Sequence, residues 1–270
     1  MQVSLFQGAI RVAFFLVLCN PVFADHWIYQ DADRAQSEKT ALIIMNGFGG
    51  TKSACKAQLA FWKEQGMDVF IPDVLLRPSL TSSSAAMEVF MAEYNLAEYA
   101  EVRSICYIAG AFLLHAYLES HALPNLKSVI YDRSPIQERA PQAVIEAIPV
   151  LGTWLKGNVL RDLSEAVWPP PLDSATIVKG LSIENRATGL MRWLRDEAEA
   201  LGPFEFDWKA IDGQASDAFH VALDHNMMYT RWDILGGPFL HFFAHGVFPE
   251  GLSRLPLTAH PFDKNQPVPE

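Results

Sequence analysis

The sequence lacks a basic run, an internal repeat and a long apolar segment. Its 270 residues contain 21 Lys and Arg against 31 Asp and Glu, so the formal net charge is −10. A chain of this charge repels phosphate backbones, and we therefore expect no nucleic acid among its partners. An apolar run near the N-terminus, Val12 to Cys19, falls well short of the roughly 20 residues that span a bilayer. We expect no membrane span.

The composition excludes wholesale disorder. Half of the residues are hydrophobic and 19% are charged, which is enough apolar material for a large buried core. The length fits one domain with an insertion, or one and a half ordinary domains.

The first 24 residues have the pattern of a signal peptide. Arg11 precedes the apolar run, and Val22 and Ala24 stand at positions −3 and −1 of a cleavage site before Asp25. This pattern predicts a mature protein that is secreted or periplasmic.

Cysteine is scarce, and export leaves only Cys55 and Cys106. An oxidising compartment could join them, provided that their Cα atoms lie within roughly 7 Å of each other. The sequence leaves open both a disulfide and two buried free thiols.

Apolar strand patterns alternate with helical patterns through the first half of the mature chain. The predicted strands are 41–45, 67–74, 104–109 and 126–131, and the predicted helices are 51–65, 82–94 and 111–120. Strands that are apolar throughout are typical of a parallel sheet covered on both faces. Right-handed crossovers then place the C-terminal ends of the strands at one edge, where α/β proteins bind ligands.

The pattern changes after Pro135. Residues 136–201 favour helices at 137–147, 158–167 and 183–200 and show no convincing strand, which indicates a cap; a strand at 218–223 and a final helix at 232–246 follow. The predicted units are a core of residues 25–135 and 204–250, a helical cap of residues 136–203, and a loose C-terminal tail of residues 251–270.

A glycine-rich turn, Asn46-Gly47-Phe48-Gly49-Gly50, follows the first strong strand. With the order of strands and helices, it resembles the α/β-hydrolase family over about residues 40–249. In that family the turn supplies a backbone N–H to the oxyanion hole, because glycine lets the chain approach the substrate. A plain turn between a strand and a helix explains the same residues.

The resemblance implies an α/β fold with a mainly parallel, doubly wound sheet. It also implies that the helical cap follows the strand after the elbow helix. Asn46, Gly47 and Phe48 would then be oxyanion-like, ligand-binding residues.

The junction of the third strand with its helix contains Gly110-Ala111-Phe112-Leu113-Leu114. The family places its nucleophile elbow, G-x-S-x-G, at this junction, with the serine on a strained turn. Aligned on Gly110, the sequence has Phe112 at the nucleophile position, Ala111 and Leu113 on either side, and Leu114 instead of the second glycine. Phenylalanine has no nucleophilic atom. The resemblance therefore implies an elbow that keeps the turn between strand and helix but lacks the nucleophile.

His225 follows the last predicted strand, where the resemblance places the general base. Such a base needs an acid that orients its ring. Asp132, at the end of the strand after the elbow helix, is our candidate, and Asp207, Asp212 and Asp217 stay open. A loop histidine that caps the final helix is the plainer interpretation of His225.

Three further groups of residues were candidates for the site. Ser134 is either a displaced nucleophile or the start of the turn into the cap. Met228 and Tyr229 either line an apolar pocket beside the histidine or belong to the core. His241 and His245 lie four residues apart on the last helix, but no carboxylate stands at ligand spacing, so we expect no metal.

The sequence thus predicts an exported pseudoenzyme of α/β-hydrolase type. It would bind a small acyl or ester-like ligand, or a protein partner, without a cofactor. The alternative is a carboxylic-ester or thioester hydrolase that uses Ser134, or a water molecule activated by His225. The residue at the elbow discriminates between them, because a serine, cysteine or aspartate there would indicate catalysis. The fold alone does not decide.

Overall fold

A computed structural model describes residues 26–147, 156–169, 172, 176–258 and 260–267. The predicted signal peptide lies outside the described residues, so cleavage before Asp25 stays a prediction. In the described part of the chain, no helix is long and apolar enough to cross a membrane.

Seven strands form one sheet in the order β1-β3-β2-β4-β5-β6-β7. β1 pairs with β3 in the antiparallel sense, and every other neighbouring pair is parallel. The strands are β1 Trp27–Tyr29, β2 Thr40–Met45, β3 Asp68–Ile71, β4 Glu101–Cys106, β5 Leu126–Arg133, β6 Val178–Arg186 and β7 Asp217–Asp224. The predicted parallel sheet is therefore present.

Helices cover both faces of the sheet. They are α1 Lys52–Trp62, α2 Leu80–Glu93, α3 Ile108–Ser120, α4 Ala140–Ala147, α5 Asn158–Glu165, α6 Gly189–Trp193, α7 Arg195–Ala200, α8 Trp208–Ile211, α9 His225–Met228 and α10 Trp232–His245. Side chains of β2 alternate between the faces, as the two-residue period of a strand requires. Ile43 packs with residues of α2 and α3, and Ile44 packs with residues of α1 and α10.

Both cysteines are free and buried. Cys106 belongs to the core on the α2–α3 face of the sheet, and Cys55 to the core on the α1–α10 face. The sheet therefore separates the two thiols, which decides between the alternatives that the sequence left open.

The prediction that residues 136–201 contain no strand is wrong. β6 lies between β5 and β7 and pairs parallel with both, so the helix predicted at 183–200 begins as a strand and turns helical only at Gly189. Polar residues such as Lys179 and Glu184 interrupt the apolar pattern that would indicate a strand, although both are fully buried in β6. Lys179 is accommodated by an ion pair with Asp212 at 3.0 Å.

The prediction of a loose tail is also wrong for the described residues after 250. Arg254 forms an ion pair with Asp217 at 2.6 Å, and the backbone N–H of Leu257 donates to Asn185 Oδ1 at 2.6 Å. These contacts hold the tail against β6 and β7. The segment between β5 and β6 carries helices α4 and α5, which stand over the C-terminal edge of the sheet.

Candidate functional site

A cavity of about 530 Å³ lies between the C-terminal edge of the sheet and helices α4 and α5. Its volume is in the usual range for small-molecule sites, about 300–1,000 Å³. Most of its wall is apolar, including Phe48, Ile108, Phe112, Leu160, Leu163 and Trp168. His225 and Asn226 contribute to the wall from the end of β7.

His225 is held by two carboxyl groups from neighbouring strands. Its Nδ1 lies 2.5 Å from Glu184 Oε1 and 3.3 Å from Asp132 Oδ2. The hydrogen bond goes to Glu184, whereas neither oxygen of Asp132 has a hydrogen-bond partner. Because β5, β6 and β7 are adjacent and parallel, their C-terminal ends bring the three side chains together.

The two carboxyl groups keep the imidazole charged. Burial by itself lowers the pKa of His225, but Glu184 and Asp132 outweigh it and raise that pKa to about 10. Burial and the charge of Asp132 raise the pKa of Glu184 well above its ordinary value. The two acids thus favour the imidazolium over the neutral ring that a general base needs.

Glu184 is the site residue that the sequence did not reveal. It lies within β6, in a segment that the sequence pattern assigns to the helical cap. Asp132 stands beside His225, but the hydrogen bond of the ring goes to Glu184, so the role of Asp132 as the orienting acid stays a prediction. Of the aspartates left open, Asp212 pairs with Lys179 and Asp217 with Arg254, and Asp207 caps α8 through the N–H of Lys209.

Tyr229 fills the region below the glycine-rich turn. Its Oη lies 3.3 Å from His225 Nε2. Its ring packs so closely on the turn that a Cβ on Gly49 would meet the ring at 2.3 Å. The phenol is only 1% exposed.

Backbone groups of the turn also interact with the Tyr229 phenol. Burial, Asp132 and Glu184 raise the pKa of Tyr229 well above its ordinary value, and hydrogen bonds with the backbone of Gly47 and Gly49 act in the opposite direction. The phenol of Tyr229 therefore lies against the backbone that the resemblance assigned to an oxyanion hole.

The placement of Phe112 at the nucleophile position is wrong. β4 ends at Cys106 and α3 begins at Ile108, so the junction lies three residues earlier than the predicted strand end, and Phe112 is one turn inside the helix. With Gly110 taken as the second glycine, the pattern G-x-S-x-G corresponds to Cys106-Tyr107-Ile108-Ala109-Gly110, and this alignment assigns the serine position to Ile108.

Close packing at Gly110 supports this correction. A Cβ on Gly110 would lie 2.0 Å from the carbonyl oxygen of Met45, so this glycine is the one that lets the helix approach the neighbouring strand. The elbow is also without backbone strain. In the described part of the chain, Asn95 is the sole residue other than glycine with a positive φ, so Ile108 has an ordinary backbone conformation.

Ser134 is buried and engaged elsewhere. Its Oγ accepts a hydrogen bond from the N–H of Gln137 at 3.1 Å, and none of the described hydrogen bonds joins it to His225. Arg133 forms an ion pair with Glu138 at 2.6 Å. The turn-forming interpretation of this segment is the one that the geometry supports.

The remaining predicted site residues divide between the cavity and the core. Gly47, Phe48 and Phe112 line the cavity. Ala111 and Leu113 are buried in the core between α3 and the sheet, and Met228 in the core under α10. Asn46 turns away from the cavity, and its amide exchanges two hydrogen bonds of 2.9 Å with Gln58.

The cluster of Asp132, Glu184 and His225 was tested as a metal site. One ligand atom from each lies within 4.8 Å of the others. However, ligands of a tetrahedral zinc ion stand about 3.3 Å apart, whereas His225 Nδ1 and Glu184 Oε1 are separated by 2.5 Å. This spacing fits a hydrogen bond better than two ligands of one ion.

The sheet order, the crossing helices, and a histidine held by acids at the ends of adjacent strands define an α/β-hydrolase fold. Among solved structures, the chain is similar to Est1E from Butyrivibrio proteoclasticus, with a TM-score of 0.52 and 12% identity over 82% of this chain and 93% of that chain. It is also similar to a bromoperoxidase from Bacillus anthracis, with a TM-score of 0.51 and 10% identity over 81% of this chain and 94% of that chain. No protein-family model and no curated protein matches the sequence.

Proposed function

We propose that this protein is an exported, non-hydrolytic member of the α/β-hydrolase fold that binds a small acyl or ester-like ligand in the cavity over Ile108. The observation that carries the proposal is the wall of that cavity. Among the residues that the structure describes, no serine, threonine, cysteine or aspartate lines it. A substrate there would meet no hydroxyl, thiol or aspartate of the kind that forms acyl intermediates.

The state of His225 argues against the hydrolytic alternative. A water molecule is activated by a neutral imidazole, whereas the buried acids raise the pKa of this imidazole to about 10 and so favour its protonated form. Ser134 has its hydroxyl engaged in a turn. Neither route of the alternative has a competent base and nucleophile together.

A small ligand is favoured over a protein partner because the cavity is a concave, mostly apolar space under α4 and α5. Export is supported by the N-terminal sequence pattern alone. Intact-mass analysis of the exported protein tests it, and we expect a chain that begins at Asp25. A chain that keeps residues 1–24 after export would contradict this part of the proposal.

Ligand binding is tested by native mass spectrometry of the purified protein, together with a screen of short esters. We expect an acyl ligand to co-purify with the wild type but not with Ala166→Phe, which adds a ring to the cavity wall. The matched control is Ala60→Phe on the exposed side of α1. Ester turnover that disappears in His225→Ala would overturn the proposal.

A further inference from the structure

We infer that the ligand of this cavity is an anionic amphiphile, a medium- to long-chain carboxylate whose head group lies at Lys156. The inference rests on the proposed function and deepens it, since it selects the free acid over the ester. Its basis is three polar groups of the cavity wall, Gln137, Glu138 and Lys156, and the partners of each.

The side-chain acceptors of Glu138 and Gln137 are already engaged. Both carboxylate oxygens of Glu138 accept from Arg133, at 2.6 and 3.0 Å, and one of them also accepts from the N–H of Ser134. The amide oxygen of Gln137 accepts from the hydroxyl of Thr188 at 2.9 Å. A ligand that carries a cation or several donors finds no free acidic partner in the described wall.

Two donor groups of the wall, on Gln137 and Lys156, have no acceptor among the described residues. The amide NH₂ of Gln137 has no protein partner among the described residues, because its bond to Thr188 uses the oxygen. In the same part of the chain, the ammonium of Lys156 has no carboxylate within ion-pair distance and lies 5.4 Å from the centre of the Phe48 ring. A carboxylate offers acceptor sites and no proton, so it complements these groups.

The position of Lys156 fixes the direction of the ligand. Lys156 is exposed, whereas Leu160 and Leu163 of α5 are buried. All three residues belong to the cavity wall. A charged head group keeps part of its hydration beside Lys156, and an apolar tail is removed from water farther in.

The size of the cavity sets the length of the tail. At roughly 30 Å³ for each non-hydrogen atom, the share of one water molecule in the liquid, a volume of about 530 Å³ holds a chain of about 10 to 16 carbons with its carboxylate.

Isothermal titration calorimetry of the full chain with decanoate and with methyl decanoate tests the inference. We expect decanoate to bind more tightly than the ester in the wild type. Lys156→Gln should weaken decanoate binding by roughly three- to ten-fold, the range between an exposed ion pair and a charge-assisted hydrogen bond. The affinity for the ester should be unchanged.

Lys127→Gln is the matched control, because Lys127 is exposed and lies outside the cavity. Equal affinities for both ligands, with no effect of Lys156→Gln, would overturn the carboxylate assignment and leave the proposed function intact. Binding of neither ligand would overturn both. Loss of decanoate affinity in Lys127→Gln to the same degree would show a long-range charge effect and would also overturn the role of Lys156.

Discussion

Tyr229 Oη lies 3.3 Å from His225 Nε2, on the face of the imidazole where a hydrolase of this fold would present its nucleophile. The phenol also interacts with the backbone of Gly47 and Gly49. One side chain thus lies against both His225 and the glycine-rich turn, to which the resemblance assigns the roles of base and oxyanion hole. Relative to the pattern of the resembled family, the departures are Ile108 and Tyr229, and we expect that replacing one of them leaves the effect of the other in place.

Serine-directed fluorophosphonates should leave the protein unlabelled. These reagents need a serine hydroxyl activated by a base, and in the described residues neither the cavity nor His225 provides one. Intact-mass analysis after incubation with the reagent checks this. Stoichiometric labelling that is lost in Ser134→Ala would restore the displaced-nucleophile hypothesis.

Gly110→Ala should destabilise the fold by about 1–3 kcal/mol or more, because its new Cβ meets the Met45 backbone and overpacks the junction. Gly189→Ala is the matched control. The nearest atom to its new Cβ is 3.9 Å away, so we expect a change within about 1 kcal/mol. Urea unfolding measures both. Equal effects of the two substitutions would contradict the corrected elbow.

Most of the parallel core could be predicted because its strands are short apolar runs separated by glycine turns and helices. β2, β5 and β7 fall within two residues of their predicted bounds at either end. β6 could not be predicted in this way, since Lys179, Ser182 and Glu184 interrupt its apolar pattern although each is buried. Their burial depends on partners from other elements, which no local pattern reveals.

The site shows the same limit. His225 and Asp132 could be found because each ends a recognisable strand. In the sequence, Gly110 can be aligned with either the first or the second glycine of G-x-S-x-G, and the first choice assigns the nucleophile position to Phe112. The close packing of Gly110 on Met45 favours the second choice. The contact of Tyr229 with His225 could not be predicted from the sequence, since it depends on how α9 folds back beneath the glycine-rich turn.

The free energy of unfolding should fall as the pH rises from about 6.5 to 10. Folded His225 keeps its proton up to a pKa of about 10, whereas the unfolded imidazole loses it near pH 6.5. The folded state therefore binds more protons in this window, and stability decreases by at most about 1.4 kcal/mol for each pH unit. The raised pKa of Glu184 acts in the same direction.

Glu184→Gln should flatten this dependence, because it removes the largest of the causes that raise the pKa of His225. Urea unfolding across the pH range, with an NMR titration of the histidine rings, measures both effects. Glu119→Gln, on the exposed side of α3, is the matched control and should keep the slope of the wild type. A His225 titration midpoint near pH 6.5 in the wild type would show that the buried acids do not hold the proton.

Restoring hydrolysis should require changes at both places where the site departs from a hydrolase. Ile108→Ser alone supplies a hydroxyl at the elbow, but the Tyr229 phenol still occupies Nε2 of His225 and the backbone of the turn. Tyr229→Leu removes that hydroxyl and keeps apolar bulk in the core. We therefore expect Ile108→Ser to be inert and Ile108→Ser with Tyr229→Leu to hydrolyse p-nitrophenyl butyrate.

The pH dependence of that double variant identifies its base. Activity needs neutral His225, so it should rise with pH towards about 10, the pKa of the imidazole, and should exceed the same variant with His225→Ala by roughly a hundredfold. Near-ultraviolet circular dichroism confirms that each variant is folded. Phe112→Ser is the matched control, since it places a hydroxyl in the cavity wall one helical turn from the elbow. Hydrolysis by that control, with an inactive double variant, would return the nucleophile position to Phe112 and refute the corrected elbow.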